Sequence, residues 1–264
     1  MSETQAAPQV TGKMFLFDRP ELLTPETHGS LTLKNAERPF EFTAKVRALP
    51  LTVSEIPAAA RDYPVIFAAA DNPLPMAVVG IIDDNNLFVT DTGQWEDHRY
   101  IPGYVRRYPF GAAYETGSDR YAIVVDASYS GFDASGDIQL FENGEPTQFT
   151  KDAVDFTQKY EQDRQMTQRF VEEIKKIDVL SGQTAQYTPQ GGDEQVAFAQ
   201  YVGVDENKLK GLPDEDILRL RNNGLLPVLY AQLMSMGNWR VLVTRRAAKF
   251  NLTEQNVFQP LQLS

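Results

Sequence analysis

The 264 residues contain no cysteine and only two histidines, His28 and His98. Without thiols there is no disulfide framework, thiolate metal site, iron–sulfur cluster or cysteine nucleophile. Positive charge is also scarce. Against 25 Lys and Arg stand 36 Asp and Glu, a formal net charge of −11, and a surface so acidic repels a phosphate backbone, so no nucleic acid is expected as partner. Long apolar runs are missing: the most apolar window, residues 225–236, contains Pro227 and Gln232 and falls short of the ~20 residues a spanning helix needs. The first residues lack the basic and apolar regions of an export signal, so the expectation is a cytoplasmic protein with no membrane span. Nor does the chain carry a GxxxxGK[ST] phosphate loop, a GxGxxG following a strand, a GxSxG elbow or an HExxH pair.

What is present is enough apolar material for a core: 42% hydrophobic residues, with 15 Phe and 11 Tyr. Residues 1–20 read as a flexible arm, with fraying only before Thr11, and 21–264 as a single α+β domain. Its N-terminal part, 21–150, reads as largely antiparallel β. From Pro39, Phe40, Phe42, Ala44, Val46 and Ala48 alternate with polar residues, which predicts a half-buried strand. Further strands are expected at 63–69, 76–82, 87–90, 121–127, 138–141 and 147–149, with Asp83 to Asn86 turning one hairpin and Asn143-Gly144 another, between 138–141 and 147–149.

At Thr150 the period changes to 3.6. Phe156, Tyr160, Asp163, Thr167, Phe170, Ile174 and Ile177 share one stripe, predicting a long helix over 150–180 that stops at Ser181-Gly182. The polar stretch 183–193 then leads into a strand at 195–204, expected to return to the N-terminal sheet. Helices are predicted over 213–250 in three pieces. The first opens at Pro213, with Asp214, Glu215 and Asp216 in its first turn, Arg219 and Arg221 in its last, and Asn223-Gly224 as its cap. The second, 225–236, is too apolar to be a DNA-reading helix and belongs in a core. Trp239, which opens the third, is expected to be buried along with Leu225 and Leu229.

The two histidines could form a facial metal triad with Glu96 or Asp97, but no spacing forces them together, and no metal or other cofactor is expected. Acidic pairs such as Asp83-Asp84 and Glu96-Asp97 read as solvated turns rather than as acid–base machinery. The informative stretch is 91–110, where Trp95, Tyr100, Tyr104, Tyr108 and Phe110 interleave with Arg99, Arg106 and Arg107. Pro102 opens a short helical turn and Pro109 closes it, so Tyr104 and Tyr108 are expected to stack at i and i+4 while Arg107 reaches across. Guanidinium planes beside aromatic rings suit carboxylates, peptide termini or aromatic groups. Trp95, Arg99, Tyr100, Tyr104, Arg106, Arg107 and Tyr108 are therefore the candidate ligand-binding residues; the competing reading makes the rings core and pairs the arginines with nearby acids such as Glu96 and Asp97.

These residues resemble the SapC family of bacterial proteins. The resemblance rests on Tyr63-Pro64-Val65-Ile66-Phe67, Asn86-Leu87-Phe88-Val89, Gly93-Gln94-Trp95 and the run from Tyr100 to Phe110, YIPGYVRRYPF, and spans roughly residues 20 to 245. His28-Gly29, and Gly224-Leu225-Leu226 through Ser235 to Trp239, also resemble family positions. The family takes its name from surface-layer loci and has no established common activity. Relatives are encoded near TonB-dependent receptors, flavin-dependent tryptophan halogenases and cupin-like proteins, which implies an accessory role toward a peptide, protein or indole-type substrate. Gly103 stands where relatives often have Ala, and Gln232 where many have His.

Two functional readings follow. The first is an accessory protein, not itself an enzyme, that holds a peptide or protein partner, or a small aromatic or anionic ligand, through the arginine and aromatic cluster. The second is a metal-assisted enzyme of oxidative or tailoring chemistry, with His28 or His98 and an acid as ligands.

Overall fold

The computed structural model describes residues 13–114, 120–133, 135–188, 194–254 and 256–261; the expected fraying before Thr11 lies outside them. The fold is mixed α+β, with antiparallel sheets, a long helix Gln148–Lys176 and C-terminal helices. Backbone contacts gather into two compact units, each made from two stretches of chain. One takes the chain up to Phe42 together with Arg106–Gln162, the other Thr43–Val105 together with Asp163–Ser264.

In the first unit, Tyr121–Asp126 is the central strand, paired antiparallel with Pro20–Leu22 on one side and Phe110–Tyr114 on the other. A smaller sheet joins Thr32–Leu33 to Phe132–Asp133 and Ile138–Gln139. Leu33, Phe110, Val125, Leu140 and Phe141 form the apolar core. The turn at Asn143-Gly144 is as expected, both residues having positive φ (52° and 80°), but its second strand is Glu145–Pro146, and residues 148–149, read in sequence as part of that strand, already belong to the helix Gln148–Lys176. Thr147 then caps the long helix by accepting the Thr150 N–H (3.4 Å).

The second unit holds a five-stranded antiparallel sheet in the order Leu180–Tyr187, Val196–Val204, Val65–Phe67, Pro75–Val78, Ala48–Pro50. The expected return of the 195–204 strand is thus made, but through one residue pair, Val202 with Phe67. Side chains from the helix Leu226–Ser235 complete what that short ladder leaves open. Gln232 Nε2 donates to the Val65 carbonyl (2.9 Å) and its Oε1 accepts from Val204 N–H (3.1 Å), while Ser235 Oγ accepts from Val65 N–H (2.9 Å). Gln232 is 1% exposed and Ser235 0%, so no water substitutes for them.

The helical expectations hold for Asp214–Asn222, Leu226–Ser235 and Trp239–Phe250. Pro213 sits one residue before the first of these, at its N-cap. Trp239 and Leu229 are buried and Leu225 is half-buried. Arg246, completely buried, ties the last helix to the chain beyond it through the carbonyls of Val257 and Gln259 (both 2.8 Å) and an ion pair with Asp83 (2.5 Å). Among the described residues no helix is long and apolar enough to cross a membrane.

Several local expectations need correction. Residues 40–48 are not a strand: Glu41–Thr43 is a 3-10 turn, held by Arg38 through Glu41 N–H to the Arg38 carbonyl (3.3 Å) and an ion pair (2.7 Å), and extended pairing begins only at Ala48. Exposure still alternates from Ala44 to Ala48, so the period records which side faces solvent and not a ladder. Residues 87–90 do not pair back as a hairpin strand beyond one bond, Leu87 N–H to the Val79 carbonyl (2.8 Å). Asn86 diverts them: its N–H goes to Ala44 and its side chain accepts from Phe88 N–H (3.0 Å). The long helix stops at Lys176, because Asp178 turns into the left-handed region (φ 50°). Ser181 and Gly182 lie inside the strand Leu180–Tyr187, which occupies much of what reads in sequence as a polar connection.

Replacing Gln232 by Leu keeps the bulk but strands the Val65 carbonyl and Val204 N–H. Denaturant unfolding is expected to show a loss of about 2 kcal/mol or more, from ~1–3 kcal/mol per stranded group.

Candidate functional site

Residues 99–108 form a strip of hydrogen-bond donors. In the second unit, Glu55 is 6% exposed and accepts from the Tyr100 hydroxyl (2.8 Å), Gly103 N–H (2.5 Å) and both N–H and hydroxyl of Thr52 (2.8 and 2.9 Å). Asp62, 7% exposed, accepts from Arg99 (3.1 Å) and Tyr100 N–H (2.9 Å). The Tyr63 hydroxyl donates to the Tyr100 carbonyl (2.5 Å) and accepts from Trp95 Nε1 (3.3 Å). Burial drives the Tyr63 phenol well above its ordinary pKa, with the Trp95 bond opposing, so it stays a donor.

The same strip continues into the first unit. Arg107 donates to Glu161 Oε1 (2.8 Å) with its guanidinium 4.5 Å from the Tyr160 ring centre, and the Tyr114 hydroxyl takes Glu161 Oε2 (2.6 Å). Both charged side chains are nearly inaccessible (4% and 3%). Asp126, at 0% exposure, accepts from Asp18 N–H (2.9 Å), Arg19 N–H (3.0 Å), the N–H and hydroxyl of Ser128 (3.0 and 2.7 Å) and the Tyr108 hydroxyl (3.1 Å). Burial favours its neutral acid, but the Ser128 and backbone bonds outweigh burial and leave the carboxyl below its ordinary value. Tyr108 is pushed upward, by burial first and by Asp126 second.

The expected Tyr104–Tyr108 stack has no helix to rest on, since the helical turn is Gly103–Arg106. Tyr108 packs instead among Phe42 (stacked, 3.9 Å), Phe17 and Tyr129 (each 5.3 Å), beside a cis Tyr108–Pro109 bond. Arg106 is exposed, its guanidinium 5.2 Å from the Phe156 ring centre, and Tyr104 is half-buried. Partners for Arg99 and Arg107 come from Asp62 and Glu161; Glu96 is paired with Arg245. His28 is buried against Glu21 (3.4 Å), and His98 lies exposed at positive φ (62°). Among the described residues no three His, Asp or Glu side chains are placed to hold a metal ion.

A family model for SapC matches residues 23–242, which include the whole donor strip and the four carboxylates it serves. The chain belongs to the SapC family. No curated protein and no solved structure matches it.

Residues Leu87 to Asp91 and Glu96 also line a cavity of about 360 Å³ in the second unit. Val89 bridges to Trp95, Thr90 N–H donates to the Gln94 carbonyl (2.8 Å) and Glu96 N–H to that of Phe88 (2.9 Å). On the opposite wall Arg245 lies 4.3 Å from the Phe88 ring centre and pairs with Glu96, while Lys249 donates to the carbonyls of Asn86 (3.2 Å) and Val89 (3.0 Å). Arg245 Nε is buried with no hydrogen-bond partner among the described residues. Sequence reasoning passed over Arg245 and Lys249; their i, i+4 spacing on one helix was the available signal.

Glu161→Gln is expected to cost about 3–5 kcal/mol in unfolding experiments, by leaving Arg107 buried opposite a neutral amide. Asp126 contributes stability above the ordinary carboxyl pKa of about 3.9 that is lost as pH falls through its depressed folded value. Asp126→Asn is therefore expected to weaken the fold near neutral pH, with the gap from wild type closing in acid.

Proposed function

We propose that this SapC-family protein is a cytoplasmic accessory protein that holds an anionic group of a peptide or protein partner, and that the Arg245 cavity is where it does so. The observation that carries this reading is a guanidinium 4.3 Å over the Phe88 ring centre, with its Nε buried and without a hydrogen-bond partner among the described residues, beside a carboxylate, Glu96, that an incoming anion can replace. Of the side chains the sequence nominated, Trp95, Arg99 and Tyr100 serve as positioning residues: Trp95 bridges to Val89, and Arg99 and Tyr100 anchor the following chain on Asp62. Tyr104, Arg106, Arg107 and Tyr108 belong to the frame of the signature rather than to the cavity wall. Planarity favours arginine for such a task, because its fork meets a carboxylate with two parallel bonds.

Calorimetric titration with an N-acetylated pentapeptide ending in phenylalanine, as free acid and as amide, tests the reading. The free acid is expected to bind at least about tenfold more tightly, as one charge-assisted hydrogen bond provides. Arg245→Gln is expected to remove that preference and Glu96→Gln to strengthen binding. Equal affinity for acid and amide, or no binding of either, would overturn it.

A further inference from the structure

A second cavity of the same unit, about 550 Å³, has a different chemistry. The strand Val196–Val204 carries a β-bulge facing Leu180–Tyr187: Ala185 pairs with Ala199 and Gln186 with Ala197, so Phe198 is the extra residue. Bulges re-aim side chains and gather beside functional sites. This one sets the Phe198 ring edge-on to Trp239 (5.7 Å, 77°) and flat against Phe258 (5.1 Å, 18°), while Phe258 also meets Tyr187 (5.6 Å). Of these rings Tyr187, Phe198 and Trp239 line the cavity and give it an aromatic floor.

The rim comes from helix periodicity and a tyrosine. Trp239 and Val243, both buried, lie four apart on the helix Trp239–Phe250, and Arg240, one residue along, is exposed beside them. Among the described residues Arg240 has no ion pair. An acid, Glu254, also lines the cavity and is steadied by the Tyr187 hydroxyl (3.2 Å). One cation and one anion thus stand over an aromatic floor, in a volume within the usual range of small-molecule pockets.

We propose that this cavity binds a free amino acid with an apolar or aromatic side chain, its carboxylate on Arg240, its ammonium on Glu254 and its side chain on the Phe198–Trp239 floor. A carboxylate alone meets Arg240 but is repelled by Glu254, and an amine alone meets the reverse. Only a zwitterion satisfies both, and the floor rejects amino acids whose side chains are charged, because burying such a group against rings leaves it without partners. The site is separate from the Arg245 cavity, which an N-acetylated peptide probes independently.

Isothermal titration of the full chain with L-phenylalanine, N-acetyl-L-phenylalanine, L-phenylalanine amide and L-aspartate tests the assignment. Phenylalanine is expected to bind saturably, with each capped form and aspartate weaker by about tenfold or more, the worth of one charge-assisted bond. Arg240→Gln is expected to erase the preference for phenylalanine over its amide while keeping that over the N-acetyl form; Glu254→Gln is expected to do the opposite. Both side chains are exposed, so the variants are expected to melt with wild type, which a thermal scan checks. No saturable binding of phenylalanine, equal affinity for all four compounds, or variants that leave both preferences intact would overturn the proposal.

Discussion

Burying a carboxylate without donors is among the costliest things a fold can do, and among its described residues this fold buries four: Glu55, Asp62, Asp126 and Glu161. One segment, 99–108, serves them all, with Arg99, Tyr100 and Gly103 working in one unit and Arg107 and Tyr108 in the other. That supply explains why a chain so acidic concentrates arginine and tyrosine here. Acids placed inside need a matched set of donors, and a planar guanidinium or a phenol held neutral by burial provides them in fixed directions. The density of the signature thereby has a structural account, in which Arg107, Tyr100 and Tyr108 supply buried acids with donors.

The sequence made the helices legible because their ends are written locally. Pro213 with three acids, then two arginines and Gly224, bound Asp214–Asn222 almost to the residue. Strands were harder, since alternation reports exposure and not pairing; residues 40–48 alternate without forming a ladder, and Leu180–Tyr187 forms one while reading as polar connection. A strand at a sheet edge, with Ala185 alone buried, has little apolar signal to give. The signature segment was found as a node, but its acidic partners lie 18 to 54 residues away, beyond any local pattern. Arg245 and Phe198 stayed hidden for a similar reason: one gains meaning from a distant ring, the other from a bulge that only strand pairing defines.

The helix Trp239–Phe250 organises the second unit. Leu242 and Arg246 face inward, the latter clasping the carbonyls of Val257 and Gln259. Trp239, Arg240 and Val243 line the aromatic cavity, and Arg245 and Lys249 line the smaller one. Because 3.6 residues make a turn, residues five apart, such as 240 and 245, sit well round the cylinder from each other. A single helix can therefore offer two unlike chemical faces while its third is locked in place.

The interleaving of the two units also bears on how the chain is made. Translated from its N-terminus, it has supplied every part of the unit ending at Gln162 while the other still lacks Asp163–Ser264. Until then Val65–Phe67 has Pro75–Val78 beside it but neither Val196–Val204 nor the Gln232 and Ser235 side chains that satisfy Val65. A nascent chain at that stage carries an open, apolar strand edge, the kind of surface that pairs with other chains or calls for a chaperone. Synthesis of Val196–Val204 and of the helix that carries Gln232 and Ser235, and not the folding of the earlier unit, is what supplies its cover.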